Sequence, residues 1–160
     1  MIKNILAAAL LIAATFTTVS AADLTHKHAL NLEVAKAIAA AGEAHARANN
    51  WNVIITILDD GGNMLYMQRM DGAQIGSIAV SLRKAESAIN FKRPTKVFAD
   101  GIATTPGLAM LPGAIANEGG LPIVVDGEVI GSIGVSGVTA QQDGMIGQAA
   151  IDALPKILGN

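Results

Sequence analysis

The chain contains no cysteine. Disulfide stapling, thiol chemistry, iron–sulfur clusters and thiolate zinc sites are therefore excluded, and stability has to come from packing. Aromatic residues make up only 3% of the sequence, so the interior has to be built from small and aliphatic side chains that let backbones approach closely. Such surfaces suit contacts between copies, and the chain is read as a homo-oligomer. Eleven basic residues stand against thirteen acidic ones, a balance that argues against a nucleic-acid partner. Catalytic signatures are missing too. There is no Gly-Lys-Ser/Thr phosphate loop, no dinucleotide fingerprint opening a helix, and no Gly-x-Ser-x-Gly elbow. No nucleophile–base constellation can be read, so whether the chain catalyses a reaction stays open.

What is present begins at the N-terminus. Lys3, the apolar run Ile5 to Phe16 and the small residues Val19-Ser20-Ala21-Ala22 form the three regions of a secretory signal peptide. The apolar run is short of the roughly 20 residues a bilayer-spanning helix needs, which makes an uncleaved anchor the weaker alternative. The predicted division is a leader over 1–22 and one domain over 23–160, periplasmic or secreted, with no membrane attachment after cleavage. Export points away from ATP and NADH as everyday substrates.

Periodicity then gives the elements. Leu30, Val34, Ala37, Ile38 and Ala41 predict a helix from Thr25 to about Ala48, ended by Asn49-Asn50. Trp51 to Leu58 and Met64 to Met70 read as strands around the turn Asp59-Asp60-Gly61-Gly62-Asn63, where the paired aspartates are turn formers rather than an acid/base pair. Ser77 to Phe91 is a second helix closed by Pro94, and Thr95 to Pro112 a short helix and loop. Ala114 to Glu118 and Leu121 to Val125 read as strands. Asp126-Gly127 turns the chain into a further strand, Glu128 to Gly137. Thr139 and Gln142 form a capping box before a terminal helix to Leu154, which Gly144 and Gly147 weaken by about 1 kcal/mol each. The expected architecture is a single α+β domain with a five-stranded antiparallel sheet. Glycines spaced along Gly131 to Gly137 let a neighbouring helix or subunit lie close against that sheet.

The candidate chemistry is sparse. His26, His28 and His45 do not share one helix face, so a three-histidine metal site is not expected, although a single histidine suffices as an axial haem ligand. Met64, Met67, Met70 and Tyr66 alternate along one strand and read either as sheet packing or as a porphyrin contact. Arg69, Arg83, Lys84, Lys92, Arg93 and Lys96 crowd into one segment that reads either as a receiver for carboxylates or as a solvated face. Arg69 with Asp71 and Lys84 with Glu86 are candidate structural pairs.

These motifs together resemble one family. Ile57-Leu58-Asp59-Asp60-Gly61-Gly62, Arg69-Met70-Asp71-Gly72-Ala73, Arg83-Lys84-Ala85 with Pro94-Thr95, Gly119-Gly120-Leu121-Pro122-Ile123, Ile130 to Gly137, and Gln142-Asp143 are similar to the GlcG/HbpS pattern in its order. The resemblance implies a profilin-like three-layer α-β-α domain, higher oligomers and, for some members, haem or iron binding with a part in haem sensing or degradation. Taken with the basic segment, it makes Arg69, Lys84 and Arg93 the expected partners for propionates. At the iron it implies a threonine, with Thr95, Thr104 and Thr105 as candidates, or an N-terminal histidine, His26 or His28. His28 is taken as the metal candidate and Thr95 as the ligand-site threonine. Other relatives sit beside glycolate use or cobalamin metabolism, so a small carboxylate held by the same cations, or a non-catalytic oligomeric scaffold, are the alternatives.

Overall fold

Asn31 decides where the first helix starts. In the computed structural model, which describes residues 22–159, its side chain accepts from the Val34 amide at 2.9 Å, and helix α1 runs Leu32–Ala48. The predicted start at Thr25 is therefore too early: an Asn cap satisfies the first free amides of a helix, and the residues before it run irregularly. His26 and His28 consequently lie off the helix. The leader expected over 1–22 lies, apart from Ala22, outside the described residues. Asn49 and Asn50 end α1 as predicted, Asn50 at a left-handed φ of 57°.

Both hairpins form. Strands β1 (Ile54–Asp59) and β2 (Met64–Arg69) are joined by a turn in which the Asp59 carboxylate accepts from the Gly61 and Asn63 amides at 2.9 and 2.8 Å. Asp59 is thus a turn former. Strands β3 (Gly120–Val125) and β4 (Glu128–Ser136) are joined by Asp126 and Gly127, both at positive φ, the conformation that matches the twist of a two-residue hairpin. The sheet is antiparallel in the order β2-β1-β4-β3. It has four strands rather than five. The expected strand over Ala114 to Glu118 is irregular chain that follows a left-handed turn at Gly113; the Ala114 amide goes to the Leu111 carbonyl and that of Ile115 to the Ser87 hydroxyl, so neither is available to a ladder.

Alternation along the strands sorts two faces. Ile55, Ile57, Ile133 and Val135 pack with Ile38 of α1 and Ile146 of helix α4 (Ala140–Asp152). The opposite face is different in kind. There helix α2 (Ser77–Phe91) lies on Thr56, Ser132, Gly134 and Ser136, with a Thr56–Ser81 hydroxyl pair at 2.9 Å, Ser132 donating to the Ala85 carbonyl at 2.8 Å and a Ser136–Ser77 pair at 3.1 Å. A Cβ at Gly134 would stand 2.0 Å from the Ser81 carbonyl oxygen, which confirms the close helix approach read from the glycine spacing. Helix α3 (Lys96–Gly101) and a 3-10 turn (Pro106–Met110) fill the loop, and helix α5 (Leu154–Leu158) ends the chain.

Gly144 and Gly147 do not prevent α4. The capping box at Thr139 and Gln142 forms, and each glycine makes room for a neighbour: a Cβ would lie 2.4 Å from Glu118 Oε1 at Gly144 and 2.5 Å from Leu121 Cδ1 at Gly147. No described helix is long and apolar enough to cross a membrane.

The keyed contact at Gly134 makes a direct test. Gly134→Ala is expected to lose about 3 kcal/mol, the upper range for overpacking a core. Gly107→Ala, where an added Cβ meets nothing within 4 Å, is expected to stay within about 0.5 kcal/mol of the parent in chemical denaturation.

Candidate functional site

Helical spacing places Ser77, Ser81, Lys84, Ala85 and Ala88 on the buried side of α2, so a lysine is carried inward with the apolar set. Lys84 is 1% exposed. Its ammonium donates to Asp143 Oδ2 at 2.7 Å and to the Val135 carbonyl at 3.0 Å, while Asp143 Oδ1 accepts from the Val138 amide at 3.2 Å. Asp143 sits in the first turn of α4, where the helix dipole favours a carboxylate. The two groups come from helices on opposite faces of the sheet and meet beside Gly119. That residue has φ +123°, and a Cβ on it would lie 2.7 Å from the Val135 oxygen and 2.9 Å from Lys84 Nζ. Gly120 is as constrained, its Cβ position being 2.2 Å from the Lys84 carbonyl oxygen. The Gly119-Gly120 pair is thus the aperture through which the layers are joined.

Thr95 closes the same corner. It is fully buried, its hydroxyl accepts from the Gly120 amide at 3.0 Å, and its own amide donates to the Gly120 carbonyl at 2.9 Å. Burial pushes the Lys84 ammonium below its ordinary value against the opposing pull of Asp143, and pushes the Asp143 carboxyl above its own against the pull of Lys84.

His28 occupies another region. Its Nδ1 lies 3.3 Å from Glu128 Oε2, and its backbone amide donates to the same oxygen at 3.1 Å. It borders a groove of about 300 Å³ with walls that include Leu30, Val34, Val125, Ile130 and Leu158. Asp126 lines this groove and also a second hollow bordered by Lys27 and Lys92, so the two adjoin. Lys27 pairs with Asp60, whereas Lys92 forms no ion pair among the described residues.

The structure brings together Lys84 and Thr95 but not the other candidates. Arg69, at the end of β2, is exposed and lies opposite Ile54, which itself faces Ser136, while His28 is beside Glu128 at the other end of β4. Eight residues of strand separate these ends, roughly 27 Å. Arg93 is exposed beyond the C-terminal end of α2, its Nε donating to the Phe91 carbonyl at 3.1 Å. The suggested Lys84–Glu86 pair is replaced by Lys84–Asp143, and Glu86 instead meets Arg83 at 3.3 Å. Asp143 stands in the sequence pattern without an evident partner, and nothing in the spacing marks Glu128 and Lys27 as neighbours of the histidine segment. An acid on the buried side of a helix was the available signal for Asp143. His45, on α1, lies tilted at 54° to Trp51 with ring centroids 6.1 Å apart and has a buried Nε2 with no partner. The described residues hold no cluster of three metal-ligating side chains.

Residues 30–152 match the family model described as haem degrading protein HbpS-like. Protein GlcG of Escherichia coli K12 is 40% identical over 114 residues, covering 67% of this chain and 81% of GlcG. The crystal structure of a double mutant of Streptomyces reticuli HbpS is similar at TM-score 0.76 and 31% identity, with 89% of this chain and 98% of that chain covered. A crystal structure of a PduOC:haem complex is similar at TM-score 0.71 and 26% identity, with 79% and 95% covered. Lys84, Thr95 and Asp143 lie inside the matched span. His28 precedes it by two residues.

The buried pair predicts a thermodynamic cycle. Asp143→Asn or Lys84→Met alone is expected to lose about 3–5 kcal/mol by stranding a charge, while Lys84→Met with Asp143→Leu recovers most of it, as seen when buried pairs are replaced by apolar groups. The pH profiles separate the single variants. With Asp143→Asn, Lys84 has a folded value below its ordinary 10.5, the unfolded chain holds more protons in that window, and stability rises with pH up to about 10.5. With Lys84→Met, Asp143 has a folded value above its ordinary 3.8, so its contribution is complete below 3.8 and is lost as pH rises through the folded value. Denaturation midpoints measured across pH check both signs.

Proposed function

The chain belongs to the HbpS-like family of haem-degrading proteins, and from that premise we propose that it is an exported, periplasmic or secreted haem-binding protein that works as a homo-oligomer. The observation that carries the reading on this chain is His28 in its groove. A carboxylate against Nδ1 holds an imidazole in one orientation and leaves Nε2 as the ligand atom, the arrangement found around metal-bound histidines. The apolar side chains of Leu30, Val34, Val125 and Ile130 suit a porphyrin face. Lys92 offers an unpaired ammonium for a propionate in the adjoining hollow, with Arg93 next to it in the chain.

The donor set fits haem better through His28 than through Thr95, whose hydroxyl is buried and engaged with Gly120. Lys84 is held inward by Asp143, and Arg69 stands at the far end of the sheet, so the propionate role is assigned here to Lys92 and Arg93. Haem when bound supplies an iron centre for ligand binding or redox chemistry, and the protein's part is to hold and shield it. Small-molecule binding by a PduOC relative in its haem complex supports the reading, as does the matched family.

Haemin titration of the purified protein, followed at the Soret band, is expected to saturate at a fixed stoichiometry. His28→Ala is expected to weaken binding at least tenfold and change the band, and Glu128→Gln to weaken it about tenfold through loss of the orienting carboxylate. Thr95→Ser is expected to leave the spectrum unchanged. Absorbance that never saturates and is the same in every variant overturns the proposal.

A further inference from the structure

A second cavity, of about 360 Å³, lies between the start of α2 and the start of α4, remote from the His28 groove. Gln74, Ser77, Lys84, Asn117, Ser136 and Asp143 line it. Its charges cancel, one ammonium against one carboxylate, and the remaining polar groups are amides and hydroxyls. An anion gains no net attraction there. A small uncharged molecule with hydroxyl or carbonyl oxygens suits the lining, because every polar group present can donate to or accept from it.

The lysine is placed differently from a purely structural one. An ammonium has three N–H groups, and two acceptors engage Lys84, the Val135 carbonyl and Asp143 Oδ2, so one N–H has no hydrogen-bond partner, and Lys84 and Asp143 both line the cavity. At 2.7 Å, the Asp143 carboxylate is close enough to exchange a proton with it directly. The backbone carbonyl fixes the direction of the side chain.

We propose that Lys84 is a carbonyl-reactive lysine that condenses with a small uncharged hydroxy-aldehyde or hydroxy-ketone bound in this cavity. Asp143 takes a proton from the ammonium, and the freed amine nitrogen attacks the carbonyl carbon. A C–N bond forms, the carbonyl oxygen takes the second amine proton, and a carbinolamine results. Asp143 then returns its proton to the carbinolamine hydroxyl, water leaves, and the product is an iminium paired with the Asp143 carboxylate. The balance is one ammonium and one carbonyl compound in, one iminium and one water out, with no oxidant or reductant required. The net charge of the site is zero at every stage: the ion pair is neutralised by the first proton transfer and restored when the iminium forms beside the Asp143 carboxylate. Burial, which pushes Lys84 below its ordinary value, acts in the same direction by easing the first proton transfer. Asn117 and the Gln74 side-chain oxygen are the partners for the compound's own oxygens, while the Ser77 and Ser136 hydroxyls are already paired with each other.

The test is reductive trapping of the full chain. The protein is incubated with glycolaldehyde and sodium cyanoborohydride, digested, and mapped by mass spectrometry. The expected result is a single hydroxyethyl adduct on Lys84, formed at least tenfold faster than on the exposed Lys36 and Lys156. Labelling of the exposed lysines with Lys84 unmodified overturns the proposal. Lys84→Met is expected to lose the fast adduct. Asn117→Phe places a ring at the cavity wall without touching the ion pair, and so gives a second comparison if Lys84→Met does not fold. Asn117→Phe is expected to slow the Lys84 reaction at least fivefold and leave Lys36 unchanged, whereas unaltered Lys84 labelling in that variant rules out the cavity as the route.

Discussion

The pairing of Lys84 with Asp143 constrains nearly everything around it. A charged pair in the interior adds little net stability over an apolar replacement, but either charge alone is strongly unfavourable there, so the two helices that carry them have to be placed together. One helix lies on each face of the sheet. The contact therefore has to pass the sheet where a backbone without side chains leaves room, and Gly119 and Gly120 provide that room. Thr95 then ties the start of β3 to the same corner through its hydroxyl and its amide. What looks in the sequence like four separate motifs, Arg-Lys-Ala, Pro-Thr, Gly-Gly and Gln-Asp, is one junction in space.

The two hollows proposed as ligand sites differ in the physics they offer. The His28 groove is walled by aliphatic side chains and has one oriented imidazole, so it favours a flat, greasy ligand with a metal at its centre. The cavity beside Lys84 is mixed, with Val80, Val138 and Ala140 beside amides, hydroxyls and one balanced ion pair, and it favours a few-atom, oxygen-bearing ligand. A porphyrin would strand the amides and hydroxyls of the second site, whereas the first presents more apolar wall to a flat ligand.

Much of this was legible in the chain. Turn chemistry at Asp59 and at Asp126-Gly127, the capping box at Thr139, the apolar run of β1 and the glycine spacing along β4 are local signals, and each element they announce is present. The failures share a cause. The start of α1 moved because one Asn side chain outweighed a weakly periodic lead-in, and the fifth strand was lost because Ala114 and Ile115 found amide partners in a turn and in α2 rather than in a neighbouring strand. Both are settled by tertiary or capping contacts that spacing does not encode. The site followed the same rule: Lys84 and Thr95 were named from the pattern, but the partner of Lys84 lies 59 residues away and that of His28 lies 100 residues away. Gly144 and Gly147 were read as weaknesses because the side chains that need their space, Glu118 and Leu121, come from another part of the chain.

The seam between α2 and the sheet has a mechanical consequence. Because the helix rests backbone to backbone at Gly134, with paired hydroxyls on either side, it is keyed to the strand like a pin in a slot. Sliding by one residue would drive Cβ atoms into carbonyl oxygens and part three hydroxyl contacts at once. Rigid interlocks of this kind do not transmit graded displacements; they hold or they release. A ligand arriving at either end of α2 will therefore find a fixed strut rather than a lever.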